Sequence, residues 1–204
     1  MLTDADARLC RLFSSIILGK WDDVMALRRS VSPPEPDRRW RECVLMVHLF
    51  GGVPRMIEAF DHLEAAGGLG EPTEEELREE GDLQARGRQM FETIYGNRAR
   101  AVREHLHRHH PALGDWVASH AYGRVLSRPG LDAATRELLA VAALASLGQE
   151  RQLASHARGA VRCGADPDAV EAVLDLLPAD LPPLRLEKAR VVVRKFAQPS
   201  GQKR

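Results

Sequence analysis

Aromatic residues and cysteines are scarce in this chain of 204 residues. Aromatic side chains make up 5% of the sequence, and the three cysteines, Cys10, Cys43 and Cys163, stand far apart. An odd number of cysteines without CxxC spacing argues against a secreted disulfide framework and against a zinc ribbon. We therefore expect three reduced thiols, most of them buried.

An excess of charge of either sign is also missing, because 29 basic residues balance 29 acidic ones. Proteins that bind nucleic acid or anionic membranes normally carry a basic excess, so we expect neither partner. The sequence starts without a basic leader, and no apolar run approaches the roughly 20 residues of a membrane span. These absences predict a cytoplasmic protein.

Strong helix formers dominate the composition, whereas residues that favour strands are few. This balance predicts an all-α fold, a multi-helix bundle, as a single domain over residues 1–204. Caps and breaks in the sequence divide the chain further. The predicted parts are a helix ending near Gly19, a second from about Trp21 to Arg29, a proline connector at 32–36, a helical hairpin over 37–66 broken at 51–54, a polar linker or solvated helix over 67–88, a helix between Pro111 and Pro129, a final helix from about Leu184 to Phe196, and a frayed tail over 197–204.

Two successive helices should form the centre of the bundle. The first spans 131–148, and its interior LLAVAALASLG is apolar nearly all round, as expected of a helix surrounded by others. The second follows the glycine at 148 and runs from about Gln149 to Cys163, where Gly164 ends it. We expect the first of these helices to lie in the middle of the core.

The motifs between Tyr122 and Val173 follow a recognisable order. A glycine precedes SRPGL, TRELL opens the apolar helix, and QLxxHxxxA is followed by a glycine, a proline-containing cap and a further helix. This quarter of the chain resembles the core of carboxymuconolactone decarboxylase family proteins. The resemblance implies the fold of the carboxymuconolactone decarboxylase and alkylhydroperoxidase D superfamily, with its core over 89–177, and a homo-oligomer, a trimer or a hexamer.

The positions of the redox cysteines hold other residues in this chain. In the alkylhydroperoxidase D branch, as the resemblance implies, a glutamate stands twelve residues before a CxxCxxxH run and relays protons to a cysteine. Glu137 and His156 occupy the glutamate and histidine positions here, but Gln149 and Gln152 replace the cysteines. An amide forms neither a thiolate nor a disulfide, so we expect no thiol peroxidase activity.

A second departure from the family concerns the order of segments. Residues 40–60, WRECVLMVHLFGGVPRMIEAF, resemble the stretch that normally follows the histidine helix, yet here they come first. Glu42 and Glu171 both fit the glutamate that starts that stretch in the family. The sequence therefore leaves two interpretations open, a circular permutation or a degenerate two-repeat arrangement.

Glu137 and His156 are the candidate catalytic residues. Glu137 shares a helical stripe with Val141 and Leu144, and His156 lies across the tight turn at Gly148, so the two side chains are able to meet. A carboxylate and an imidazole in a partly dry pocket are suited to moving a proton to or from carbon. This predicts a lyase or isomerase that needs no cofactor and acts on a small carboxylated or lactone-like metabolite.

A structural interpretation of the same pair stays open. A glutamate or histidine that is hydrogen-bonded between packed helices needs no catalytic role, and Arg136 or Arg158 are alternative partners for Glu137. The rival function is a non-catalytic oligomeric or ligand-binding member of the fold. An accessible cavity with both side chains at its wall would favour the enzyme, whereas closed hydrogen bonds would favour the rival.

Five further residues complete the candidate site for a small-molecule ligand: Gln149, Gln152, Arg136, His48 and Glu42. Arg128, Arg136 and Arg158 are candidates for binding an anion. The HLHRHH run places His105 and His109 at the i, i+4 spacing of a metal-binding face, but no further ligand follows at a metalloenzyme spacing. We interpret that run as a solvated helix end and predict no metal.

Overall fold

A computed structural model describes residues 1–31, 35–78 and 81–198, and within these ranges the regular structure is helical, without a strand. This confirms the all-α prediction. A π-helical segment covers Val117–Leu126, and two short 3-10 turns cover Gly96–Arg98 and Val173–Leu176. The α-helices are α1 (Asp4–Leu18), α2 (Trp21–Arg29), α3 (Asp37–Met46), α4 (His48–Ala65), α5 (Glu74–Leu77), α6 (Leu83–Tyr95), α7 (Ala99–His109), α8 (Pro111–Trp116), α9 (Ala133–Leu147), α10 (Glu150–Arg162), α11 (Pro167–Ala172) and α12 (Pro183–Phe196).

Helix α9 lies at the centre, as predicted. The side chain of Asp132 caps its start by accepting a hydrogen bond from the Thr135 backbone N–H at 2.8 Å. Every residue from Thr135 to Ser146 is buried, because α1 packs on one side of α9 and α10 on another. Each fully buried leucine or valine of such a helix contributes about 1.5–3 kcal/mol. Gly148 ends α9 in the left-handed conformation, with φ of 70°, and turns the chain back into α10.

The first two helices also form where they were predicted. The Thr3 hydroxyl accepts from the Asp6 backbone N–H at 3.1 Å, and Gly19 ends α1 with φ of 71°. The apolar stripe of α1, which includes Phe13 and Ile16, is fully buried against α9. Helix α1 is therefore held to the centre of the core by its whole apolar face.

The break in the predicted hairpin over 37–66 begins earlier than expected. Helix α3 ends at Met46 rather than continuing towards 50, and its axis makes an angle of 118° with that of α4. Val47 at this corner is fully buried, so tertiary packing overrides the local preference for a continuous helix. The predicted irregularity after Gly51 is also present, because Gly52 has φ of 80° and Pro54 follows in the next helical turn.

The polar segment over 67–88 differs from the prediction in two respects. Thr73 caps α5 by accepting a hydrogen bond from the Glu76 backbone N–H, and the Glu76 side chain is buried instead of solvated. Its carboxylate binds the Arg41 guanidinium through two hydrogen bonds of 2.8 and 2.6 Å, so an ion pair brings this acid into the core. Helix α6 begins at Leu83, after the Asp82 cap, inside the segment predicted to be polar.

Helix α6 and the π-helical segment approach each other closely enough to need glycine at the crossing. A Cβ atom added at Gly87 would overlap the carbonyl oxygen of Ala118, and one added at Gly123 would overlap that of Leu83. The helix predicted between Pro111 and Pro129 is therefore present, as α8 followed by a π-helical segment. A π-helical stretch is uncommon, and such stretches are frequently found at functional sites.

Helix α12 closes the bundle against α10 and α9. Ala197, expected in a frayed tail, is buried at the end of this helix. The rest of the predicted tail from 199 onwards, and residues 32–34 of the proline connector, lie outside the described residues. In the described ranges no single helix is long and apolar enough to cross a membrane, although the bent pair α3–α4 passes that test by length and composition alone.

Candidate functional site

Glu137 and His156 meet between the two central helices. The Nδ1 atom of His156 on α10 lies 3.0 Å from the Oε2 atom of Glu137 on α9. Glu137 is fully buried, and His156 is 8% exposed. The tight turn at Gly148 places the two helices side by side, which brings these positions together across 19 residues. The structure thus joins the two side chains that the sequence proposed as a pair.

Gly159 makes the room that Glu137 needs. This residue lies three positions after His156 on α10 and faces the same carboxylate. A Cβ atom at Gly159 would overlap the Oε2 atom of Glu137 and would come within 2.8 Å of the Ile94 side chain. Sequence reasoning missed Gly159, although a glycine inside a helix, one turn from a candidate histidine, is a signal of close approach.

The hydrogen bond to Glu137 affects both the pKa and the tautomer of His156. Burial opposes the charged imidazole, but the charge of Glu137 and the hydrogen bond to it outweigh burial, so the pKa of His156 is raised above its ordinary value. With Nδ1–H donating to the carboxylate, the neutral ring keeps its lone pair on Nε2. Nε2 has no hydrogen-bond partner in the described part of the chain, and the side chain retains 11% exposure.

Aromatic side chains surround the pair. The ring of Phe50 stands edge-on to His156, with 6.2 Å between the ring centroids. The hydroxyls of Tyr95 and Tyr122 are 3.0 Å apart. Burial raises the pKa of both tyrosines, and the negative charge of Glu137 adds to this effect. Both phenols therefore stay protonated at neutral pH and give the pair a dry, uncharged surrounding.

The thiols offer no nucleophile to this site. Burial, followed by the charge of Glu137, raises the pKa of Cys163 to about 12. Burial also raises the pKa of Cys10 and of Cys43. Gln149 and Gln152 stand at the positions where the alkylhydroperoxidase D branch, by the resemblance, has its cysteines. Both side chains are exposed at the start of α10. Burial thus disfavours the thiolate form of all three cysteines.

Glu42 and Arg136 form a separate buried cluster with Arg128. The Oε1 atom of Glu42 accepts from Arg128 Nε at 2.9 Å, and its Oε2 atom accepts from Arg136 Nη2 at 2.8 Å. Glu42 and Arg136 are both 1% exposed. Arg136 therefore neutralises Glu42 and not Glu137, and the anion-binding role predicted for Arg136 and Arg128 conflicts with their use inside this cluster.

His48 has a histidine as its partner. Its Nδ1–H donates to the Leu45 carbonyl at 2.6 Å, and its Nε2 atom lies 2.8 Å from the Nε2 atom of His120. Burial, together with the charges of His48 and Arg124, lowers the pKa of His120. His48 is thus not hydrogen-bonded to His156, and Phe50, two residues further along α4, is the side chain that contacts the pair.

The HLHRHH run ends α7 and starts α8. His105 and His109 stack edge-on, with centroids 4.7 Å apart, and the Nδ1 atom of His110 caps α8 by accepting from the Ala112 backbone N–H at 3.1 Å. Over the described residues, no group of three or more histidine, cysteine, aspartate or glutamate side chains is placed to hold a metal ion. The capping role of His110 explains part of the run in structural terms.

Residues 111–179, from α8 to just beyond the 3-10 turn at Val173–Leu176, match the model of the carboxymuconolactone decarboxylase family. That segment contains Glu137, Gly159 and His156. About a third of the chain is therefore similar to the carboxymuconolactone decarboxylase family. The resemblance of the Tyr122–Val173 motifs is thereby confirmed, and the matched segment includes the central helices α9 and α10.

A curated protein is also similar to part of the chain. Over 71 residues the chain is 32% identical to 4-carboxymuconolactone decarboxylase of Acinetobacter baylyi (strain ATCC 33305 / BD413 / ADP1). The match covers 35% of this chain and 53% of that protein, so the chain spans about half the length of this relative. The origin of the α3–α4 unit, by permutation or by repeat, stays a prediction.

Proposed function

We propose that this chain is a cofactor-free lyase or isomerase that transfers a proton at carbon in a small carboxylated or lactone-like metabolite. The observation that carries the proposal is the 3.0 Å bond from His156 Nδ1 to Glu137, which orients the ring and leaves Nε2 for a substrate. In such pairs the carboxylate fixes the tautomer and stabilises the imidazolium. The substrate class follows the name of the relative, a decarboxylase of a carboxylated lactone.

The chemistry needs only these two side chains. When a substrate loses carbon dioxide, the C–C bond breaks and its electron pair stays on carbon, where a proton must be added. The His156 imidazolium, whose pKa is raised, donates that proton from Nε2 and recovers it from water. In an isomerisation the neutral ring first removes a proton from one carbon and then returns it to another.

The predicted homo-oligomer, a trimer or hexamer, remains part of this proposal. Among the exposed large apolar side chains are Val53 and Ile57 on α4 and Leu113 and Trp116 on α8, and a subunit contact would cover them. We expect light scattering to give three or six times the chain mass of 22.6 kDa. A mass of one chain across the whole concentration range would contradict this part of the proposal.

A non-catalytic, ligand-binding or scaffolding role is the second candidate. It is favoured by the complete burial of Glu137 and by the low exposure of His156, because a closed hydrogen bond between helices stabilises a fold without any substrate. The two functions make different demands on Nε2. A catalytic His156 must reach a reacting carbon, whereas a structural one only has to hold Glu137.

The deciding experiment follows solvent deuterium into a panel of carboxylated and unsaturated lactones by NMR, with release of carbon dioxide as a second readout. We expect His156→Asn and Glu137→Gln to lower the turnover of an accepted substrate by about 10²–10⁴-fold, the usual contribution of a positioned acid or base. His109→Gln removes an exposed histidine outside the pair and should leave turnover unchanged.

Two results would contradict the catalytic function. One is full turnover by a folded His156→Asn variant. The other is an intact oligomer that binds members of the panel yet exchanges no proton and releases no carbon dioxide, which would support the non-catalytic role.

A further inference from the structure

Arginines gather in a groove on the side of α10 turned away from His156. Arg151, Arg158 and Arg162 follow one another at spacings of seven and four residues, which places them on one stripe of the helix, about 200° around from His156. Arg98, from the turn before α7, lines the same groove. The groove encloses about 570 Å³, a volume in the range of small-molecule sites.

Three of the four guanidinium groups in this groove have neutral partners. Arg158 lies over the ring of Phe196, 4.6 Å from its centroid, and Arg162 Nη1 donates to the Ile94 carbonyl at 2.9 Å. Arg151 Nη2 lies 3.3 Å from a ring nitrogen of His105. The acid in the lining, Glu150, is itself bound to Lys188 at 3.4 Å. The groove therefore keeps a concentrated positive charge.

The arginines that are buried elsewhere have carboxylate partners. Arg41 binds Glu76, and both Arg128 and Arg136 bind Glu42. The positive charges in the groove also act on one another. Burial, followed by the charges of Arg98 and Arg162, lowers the pKa of Arg158. A chain of zero net charge that places four arginines around one groove has concentrated there a field that attracts anions.

We propose that this groove binds a small anion carrying a phosphate group, through Arg98, Arg151 and Arg158. A guanidinium group binds two phosphate oxygens through bidentate hydrogen bonds. Several guanidinium groups around one groove suit a ligand with two or more negative charges. Arg162 is held by the Ile94 carbonyl and shapes the wall. The site lies apart from the Glu137–His156 pair and does not depend on the proposed proton transfer.

The test is calorimetric titration of the full chain with inorganic phosphate, pyrophosphate and ADP, at low ionic strength and at about 0.15 M salt. The variant Arg98→Gln/Arg151→Gln removes two exposed arginines of the groove. Its matched control, Arg100→Gln/Arg103→Gln, removes the same charge from α7, where the arginines pair with Glu104 and Glu92. Circular dichroism checks that all variants are folded.

We expect saturable binding that the groove variant weakens by about tenfold or more, while the control stays within about twofold of the unmodified chain. Tighter binding of ADP or pyrophosphate than of phosphate assigns a phosphate ester as the ligand, and equal binding assigns free phosphate. His156→Asn should bind all three probes unchanged, which separates this site from the proposed function.

Three results would overturn the proposal. The first is an absence of saturable binding for all three probes. The second is an equal loss in the groove variant and the control, which would mean unspecific attraction. The third is a single-stranded oligonucleotide that binds the groove more tightly than pyrophosphate, because the surface would then recognise a polymer and not a small anion.

Discussion

Glu42 and Glu137 are both excluded from solvent, yet they face different partners. Glu42 is held by Arg136 and Arg128, whose guanidinium groups remain charged at any pH a protein meets. Glu137 is held by His156, a side chain that titrates and whose pKa is raised above its ordinary value. One buried carboxylate thus has a permanent counter-ion, and the other has a switchable one.

The difference separates a structural cluster from a candidate for chemistry. Both oxygens of Glu42 accept hydrogen bonds, so the cluster ties α3 to α9 and leaves that carboxylate satisfied. In the other pair, Glu137 Oε1 is buried without a hydrogen-bond partner in the described residues, and His156 Nε2 is also unbonded there. Free hydrogen-bonding capacity beside a titrating ring is what proton transfer requires.

The largest effect should come from breaking the permanent pair. Glu42→Gln leaves the charge of Arg136 buried without its counter-ion, and we expect the free energy of unfolding to fall by about 3–5 kcal/mol in a denaturant titration. Glu75→Gln is the matched control, because Glu75 pairs with Arg38 on the surface and should contribute less than about 1 kcal/mol. Equal losses of stability in the two variants would show that the buried pair of Glu42 contributes no more than a surface pair.

A smaller effect should follow from filling the space beside Glu137. In Gly159→Ala the added methyl group overlaps the carboxylate and presses on Ile94, so we expect a loss of about 1–3 kcal/mol from overpacking. The same change should displace Glu137 from His156 and lower any turnover, while the Glu42 cluster stays intact. Full stability together with full turnover would show that Gly159 does not make room for this pair.

The contribution of His156 to stability should depend on pH with opposite signs in the presence and absence of Glu137. Because the folded pKa of His156 is raised, its contribution is fully present below the unfolded value of about 6.5 and is lost as the pH rises through the folded value. In Glu137→Gln only burial remains, and the folded pKa falls below the unfolded one. The stability gap between the two proteins should therefore be wider at about pH 6 than at about pH 9.

Denaturant titrations at both pH values measure this gap, and the comparison cancels the histidines that the two proteins share. A gap that does not change with pH would mean that Glu137 has no effect on the protonation of His156.

The sequence predicted the parts of this fold that local chemistry decides. The glycines at 19 and 148 gave correct helix ends, and the apolar interior of α9 indicated a central helix. The meeting of Glu137 and His156 was also predictable, because a tight turn joins their two helices. Contacts over long separations were not, since nothing local indicates that Arg136 binds Glu42, 94 residues away, or that Arg41 brings Glu76 into the core.

The arginine groove was predictable from the sequence only in part. The spacing of Arg151, Arg158 and Arg162 places three cations on one face of α10, which periodicity alone reveals. Arg98 and Phe196 join that face only in the folded chain, because they come from the turn before α7 and from α12. The early end of α3 at Met46 had no local signal, since the corner is imposed by packing around Val47.

The most direct test is an NMR titration of the His156 ring, in the unmodified protein and in Glu137→Gln. The account predicts a pKa above the ordinary histidine value of about 6.5, with Nδ1 protonated in the neutral ring, and a fall below that value when Glu137 is replaced. A pKa that is already below the ordinary value in the unmodified protein, or one that the replacement leaves unchanged, would contradict it.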